Sequence, residues 1–187
     1  MKVGIGIIGT GGIANAHAEA VLKLEEAELV AACDVVPAKA QAFAERYQIA
    51  NVYTDSQAFF RDPRLQAALV CTPHRAHCPL AMQAAEAGIH VMVEKPLTVD
   101  LREADQAIAA AKKAGIKFGV IFQRRFWPAA QRAHKAIADG KLGEVILGDC
   151  IVKWWRDKSY YDLDAWRGTW AGDGGAVLVN QSVHAID

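Results

Sequence analysis

Neither sign of charge is in excess: 21 Lys and Arg balance 21 Asp and Glu, giving a formal net charge of +0. Nucleic acid and anionic membrane surfaces are recognised through surplus positive charge, so neither partner is expected. Cysteine is scarce. Cys33, Cys71, Cys78 and Cys150 include no Cys-x-x-Cys pair and lack the spacing of a small disulfide scaffold, so they read as reduced thiols of a cytoplasmic protein. No run of about 18 apolar residues is present, so no membrane-spanning helix is expected. The apolar stretch after Lys2 is studded with glycine and reads as a strand rather than a secretory leader. Linkers rich in Ser and Gly are absent, as are internal repeats. Cys71, His74, His77 and Cys78 lie close together, but Pro73 and a strand-to-helix junction account for the segment without a metal, and no metal site is expected.

The opening stretch organises the rest. Val3 to Ile8 mixes branched apolar residues with Gly, the pattern of a strand buried on both faces, and Gly9-Thr10-Gly11-Gly12-Ile13-Ala14 follows directly. This is Gly-x-Gly-x-x-Ala at a strand-to-helix turn. The first Gly permits the tight turn, the second lets a pyrophosphate approach the backbone, and Ala14 allows the helix to pack on the strand. The helix N-terminus then presents free N–H groups to phosphate. A second buried strand, Glu28 to Cys33, ends in Asp34, where a carboxylate can take ribose hydroxyls. A dinucleotide site follows. Asp34 favours NAD because it would repel a 2′-phosphate, while nearby Lys39 leaves NADP open.

Further along, Pro37 opens a helix with an apolar face of Ala40, Phe43, Ala44 and Tyr47, and Asp55 caps a brief helix that ends before Asp62-Pro63. Ala67 to Cys71, His90 to Glu94 and Lys117 to Ile121 are strands; His77 to Ala87 and an Asp100-capped segment to Gly115 are helices. Strands alternating with helices at this spacing build a doubly wound parallel sheet, the α/β class. From Gln123 the character changes and all five tryptophans lie beyond position 126, so residues 1–122 form one domain and 123–187 the start of a second, incomplete one. Within it, Val145 to Trp155 reads as a strand, with Trp154 and Trp155 on opposite faces and core packing their expected role. A helix opened by Gly174-Gly175 places Asn180 and His184 on one face.

In such a sheet, ligands lie outside the carboxyl ends of the strands, which nominates Gly9, Asp34, Thr72-Pro73, Glu94-Lys95-Pro96 and Gln123-Arg124-Arg125. Lys95 could hydrogen-bond a substrate oxygen beside a nicotinamide; a solvated lysine in a proline-fixed turn is the alternative. His184 could accept a hydroxyl proton, with Asn180 orienting the substrate, although a lone helical histidine can equally be structural. Arg124 and Arg125 could meet a carboxylate or phosphate.

Gly-x-Gly-x-x-Ala, Cys71-Thr72-Pro73, Glu94-Lys95-Pro96, Phe122-Gln-Arg-Arg-Phe126, Tyr160-Tyr161, Trp166-Arg-Gly-Thr-Trp170 and the Asn180/His184 segment occur in this order. As an ordered set spanning the chain, they resemble the Gfo/Idh/MocA oxidoreductases, named for glucose–fructose oxidoreductase and inositol dehydrogenase. The resemblance implies a Rossmann domain followed by an open-sheet α/β domain used for substrate and subunit contacts. It implies hydride transfer between NAD(P) and a secondary alcohol or ketone of a sugar, cyclitol or related polyol, by a homo-oligomer, dimer or tetramer. Lys95 and His184 match the family's lysine and proton-transfer histidine, and Asn180 stands where inositol dehydrogenase-like members carry Asp. The resemblance extends the cofactor set to Thr10, Gly12, Ile13, Thr72, Pro73, His77 and Glu94, and the substrate set to Arg124, Arg125, Trp166 and Asn180. Two alternatives stay open: a relative that uses bound NAD transiently to cleave a glycosidic bond, and a non-catalytic dinucleotide-binding protein.

Overall fold

A computed structural model describes residues 2–175 and 177–187. It divides into two compact units, one running through Ile121 and the other comprising Phe122–Asp187.

The first unit is a six-stranded sheet in the order β3-β2-β1-β4-β5-β6, with every pairing parallel. Its strands are β1 (Val3–Ile8), β2 (Ala27–Cys33), β3 (Asn51–Tyr53), β4 (Ala67–Val70), β5 (His90–Glu94) and β6 (Phe118–Ile121). The connections carry α1 (Gly12–Val21), α2 (Pro37–Tyr47), α3 (Ser56–Phe60), α4 (His77–Glu86) and α5 (Leu101–Ala114). The strand order reverses between β1 and β4, the point at which an open α/β sheet leaves a crevice.

Two apolar layers sandwich the sheet. On one side Ala14 and Ala18 of α1 and Phe43, Ala44 and Tyr47 of α2 meet Ile7 and Ala32. On the other, Phe59, Phe60, Leu80, Ala84 and Ala107 meet Ile8, Val30, Val70, Val91 and Val93. The apolar stripe expected on α2 is therefore the buried one: Ala40, Phe43, Ala44 and Tyr47 all face inward. Asp55 accepts a hydrogen bond from the Ala58 amide and Asp100 from the Arg102 amide, so both sequence-predicted caps form.

The second unit holds α6 (Pro128–Ala138), α7 (Lys158–Asp162), α8 (Trp170–Asp173) and α9 (Val183–Ile186). Two expectations are corrected here. No strand forms between Val145 and Trp155 among the described residues, because a strand needs a partner for its backbone N–H and C=O groups and none is paired with this run. Trp154 and Trp155 are correspondingly exposed, at 53% and 84%, rather than packed in a core. The predicted C-terminal helix is also not one continuous helix. Val177–Gln181 forms a π-helical turn, in which the Ser182 amide donates to the Val177 carbonyl, and α9 begins anew at Val183. Asn180 and His184 thus fall in different elements. Ala176, inside that predicted helix, and Met1 lie outside the described residues.

No described helix is long and apolar enough to cross a membrane.

Candidate active site

The turn after β1 is built by Gly9, whose φ of +86° lies in the left-handed region that side chains avoid. Space forbids a side chain there as well: a Cβ would sit 2.7 Å from the Cys71 carbonyl carbon and the Thr72 nitrogen. The loops after β1 and β4 therefore touch at the sheet's switch point. At Gly11 and Gly12 a Cβ would meet nothing within 4 Å, so the start of α1 opens on empty space. Gly11, the helix N-cap, offers no side chain to the first-turn amides. Ile13 is exposed beside them and Ala14 is fully buried against the sheet. Uncapped amides, a favourable dipole and room together fit a diphosphate.

Asp34 follows β2. Its Oδ2 accepts from the Thr10 amide (2.9 Å) and the Thr10 hydroxyl (3.0 Å), and its Oδ1 from the Val36 amide (2.9 Å). A carboxylate offers about four acceptor sites, so these three bonds fix its position and leave capacity for a ribose hydroxyl. Thr72, after β4, carries a buried Oγ1 with no hydrogen-bond partner among the described residues. An orphaned hydroxyl in this crevice is suited to a cofactor. The protein's own residues thus fit a dinucleotide: Gly9 to Ile13 for the diphosphate, Asp34 for a ribose, and Thr72 with Pro73 alongside.

Two of the predicted cofactor residues, His77 and Glu94, are buried. His77 is 1% exposed. Its Nδ1 lies 2.7 Å from the Pro96 carbonyl and its Nε2 2.8 Å from the Thr72 carbonyl, so the ring packs between the loops after β4 and β5, and a neutral ring donates to one of the two carbonyls. Burial outweighs both carbonyls and holds its pKa below the ordinary histidine value. Glu94 is 7% exposed, with Oε1 2.7 Å from His17 Nε2 and Oε2 accepting from the Lys95 amide at 3.1 Å. Both side chains are buried and engaged by protein groups, and both hold the backbone of the loops after β4 and β5. Lys95 follows, half-buried, and its peptide bond to Pro96 is cis. Sequence reasoning missed His17, which pairs with a residue 77 positions away.

Burial disfavours the reactive thiolate form at all three buried cysteines. Burial raises Cys78 to about 11 and Cys33 to about 12, and pushes Cys71 higher still.

In the second unit, Asn180 is 6% exposed and its Nδ2 donates to Asp173 Oδ1 at 3.0 Å, while Asp173 Oδ2 accepts from the Gly168 amide. His184 meets Phe122 edge to face, with ring centroids 6.4 Å apart. Of the arginine pair, Arg125 is committed: its Nε lies 2.8 Å from both carboxylate oxygens of Asp187, whose carboxyl it holds below the usual range. Arg124 instead stacks over Trp127 and Trp154. Trp166 lies under the Arg167 guanidinium, 4.8 Å away. A cavity of about 100 Å³ is bordered by Trp154, Arg156, Tyr160, Asp173 and Asn180. Arg156, which sequence reasoning passed over, lies 4.4 Å above Trp154 and 5.0 Å above Tyr160.

Sheet order, glycine turn and acidic strand end together define a Rossmann-type dinucleotide-binding protein. The family model described as the oxidoreductase family with an NAD-binding Rossmann fold matches residues 3–122, and the GFO/IDH/MocA C-terminal domain matches residues 130–187. The chain belongs to the Gfo/Idh/MocA oxidoreductase family. It is 32% identical to D-glucoside 3-dehydrogenase of Escherichia coli over 98% of this chain and 52% of that protein. To scyllo-inositol 2-dehydrogenase (NAD(+)) of Bacillus subtilis it is 32% identical over all of this chain and 52% of that one. Among solved structures, the WlbA dehydrogenase of Chromobacterium violaceum, in complex with NADH and UDP-GlcNAcA, superposes with a TM-score of 0.94 at 31% identity. That match covers 99% of this chain and 53% of the other. The chain thus spans about half the length of the relatives it matches.

Proposed function

We propose that the protein containing this chain is an NAD-dependent dehydrogenase that oxidises a secondary alcohol of a sugar, cyclitol or related polyol, or reduces the matching ketone. The observation that carries the reading is the crevice of the first unit. Open helix amides, a fixed Asp34, an orphaned Thr72 hydroxyl and Lys95 all follow strand ends of one parallel sheet. A bound nicotinamide supplies the hydride acceptor. Lys95 hydrogen-bonds the substrate oxygen through its ammonium and stabilises the charge that develops there. His184 accepts the hydroxyl proton as the C–H hydride departs, and Asn180, fixed by Asp173, orients the substrate. The family resemblance supports these roles, as do the relatives that are dehydrogenases of glucosides and inositols. A homo-oligomer is part of the same reading.

Within this class, Arg156 favours an anionic substrate. Its guanidinium lies over two aromatic rings beside the cavity, makes no ion pair among the described residues, and leaves edge N–H donors for a carboxylate or phosphate. The WlbA relative binds an anionic nucleotide sugar, in keeping with this preference.

The test is to titrate the full-length protein with NADH and NADPH, then assay neutral polyols, sugar acids and nucleotide sugars for net cofactor reduction. Lys95→Ala and His184→Ala are each expected to lower kcat by about 100-fold or more with cofactor affinity nearly unchanged. Unaltered turnover in both variants overturns the assigned roles. Glycoside cleavage without net cofactor reduction selects the glycosidase alternative, and failure to bind either cofactor removes the reading altogether.

A further inference from the structure

We propose that His17 is a positioning residue for Lys95, acting through Glu94; the inference rests on the assignment of Lys95 to the substrate oxygen. His17 lies in the second turn of α1, the helix whose open N-terminus faces the diphosphate site. Its Nε2 is 2.7 Å from Glu94 Oε1, and Glu94 Oε2 accepts from the Lys95 backbone amide at 3.1 Å. The two side chains are only 17% and 10% exposed, so water is a poor substitute for either partner.

The Glu94 carboxylate is consequently gripped from two directions, by α1 and by the turn that carries the lysine. A hydrogen bond to a carboxylate is stronger and more directional than one between neutral groups, and a carboxylate with one oxygen released is free to swing. A shift of the carboxylate shifts the Lys95 backbone from which the ammonium-bearing side chain extends. Placement of a reacting group matters steeply, since an error of about 1 Å can lower a rate on the order of 100-fold. The pair therefore couples the element that binds the cofactor's phosphates to the residue that meets the substrate. A purely structural pair would instead change stability and leave the lysine's behaviour alone.

The test compares His17→Leu, which fills similar space without a donor, with His17→Gln, which retains an N–H that can reach Glu94, both in the full-length protein. His17→Leu is expected to lower kcat by about 10- to 100-fold, with the NADH dissociation constant changed less than about threefold, and His17→Gln to recover most of that loss. A second readout needs no turnover. The rate at which an amine-selective reagent labels Lys95, followed by mass spectrometry, should differ from wild type in His17→Leu and return toward it in His17→Gln. If His17→Leu does not fold, His17→Asn, too short to hold the same contact, provides the contrast. A lowered melting temperature with kcat and Lys95 labelling unchanged overturns the proposal. Because labelling requires no substrate, a protein inactive on every polyol but showing the labelling contrast refutes the assigned reaction and retains the coupling.

Discussion

Asp34 does two jobs that a substitution can separate. Three hydrogen bonds from Thr10 and Val36 lock its carboxylate at the end of β2, so it braces the glycine turn and, in the proposed site, sets a charge beside the cofactor's ribose. Asp34→Asn keeps one oxygen acceptor and removes the charge. Its NADH dissociation constant should rise by about tenfold and its preference over NADPH shrink, because repulsion of the 2′-phosphate is gone; fluorescence titration with both cofactors checks this. His77 gives a pH dependence. Burial holds its folded-state pKa below the ordinary histidine value, so as pH falls through about 6.5 the unfolded chain takes up a proton that the folded ring refuses. Stability from this residue is complete above that pH and declines below it. Urea unfolding across pH 5 to 8 should show the decline, and a folded His77→Gln variant should show less of it. Arg125 teaches the opposite lesson: a sequence position suited to binding an anion is already occupied by Asp187.

At the scale of elements, the β1-to-α1 turn concentrates the demands of fold and function. Gly9 combines a positive φ with a backbone neighbour at 2.7 Å, so Gly9→Ala faces both conformational strain and a clash with the loop after β4. The expected loss is about 2 kcal/mol or more, read as a lower urea midpoint, with dinucleotide binding abolished as the two loops separate. Gly11 and Gly12 differ in kind. A Cβ at either meets nothing within 4 Å, so alanine there should leave stability nearly intact and, in the proposed diphosphate site, weaken binding. The caps at Asp55 and Asp100 show local chemistry acting as expected, since each side chain satisfies an amide two or three residues on. In the C-terminal segment local chemistry did not prevail. Helical spacing placed Asn180 and His184 in one helix, whereas a π-helical turn carries Asn180 and a new helix from Val183 carries His184.

For the molecule as a whole, the two units should respond differently to cofactor. The proposed cofactor residues follow the strands of the first unit, so NAD at about 100 times its dissociation constant should stabilise that unit by about 2.7 kcal/mol. Hydrogen exchange should slow across the strands from Val3 to Ile121 more than across α6 to α9. Uniform protection of both units would argue against a site built from the sheet ends.

Hydrophobic period, helix caps and the glycine turn are local properties, and from them the sequence by itself determined the alternating strands and helices, the buried stripe of α2, and the positions of Gly9, Asp34 and Lys95. Tertiary structure alone decided what required distant residues to meet. Glu94 finds its partner in His17, His77 turns inward between the carbonyls of Thr72 and Pro96, and Thr72 keeps a buried hydroxyl without a mate among the described residues. The run from Val145 to Trp155 belongs to the same class, because apolar alternation supplies a face for a strand but not the neighbouring backbone that makes it one. Periodicity is written into the chain residue by residue; pairing between remote segments exists only once the sheet has brought them together.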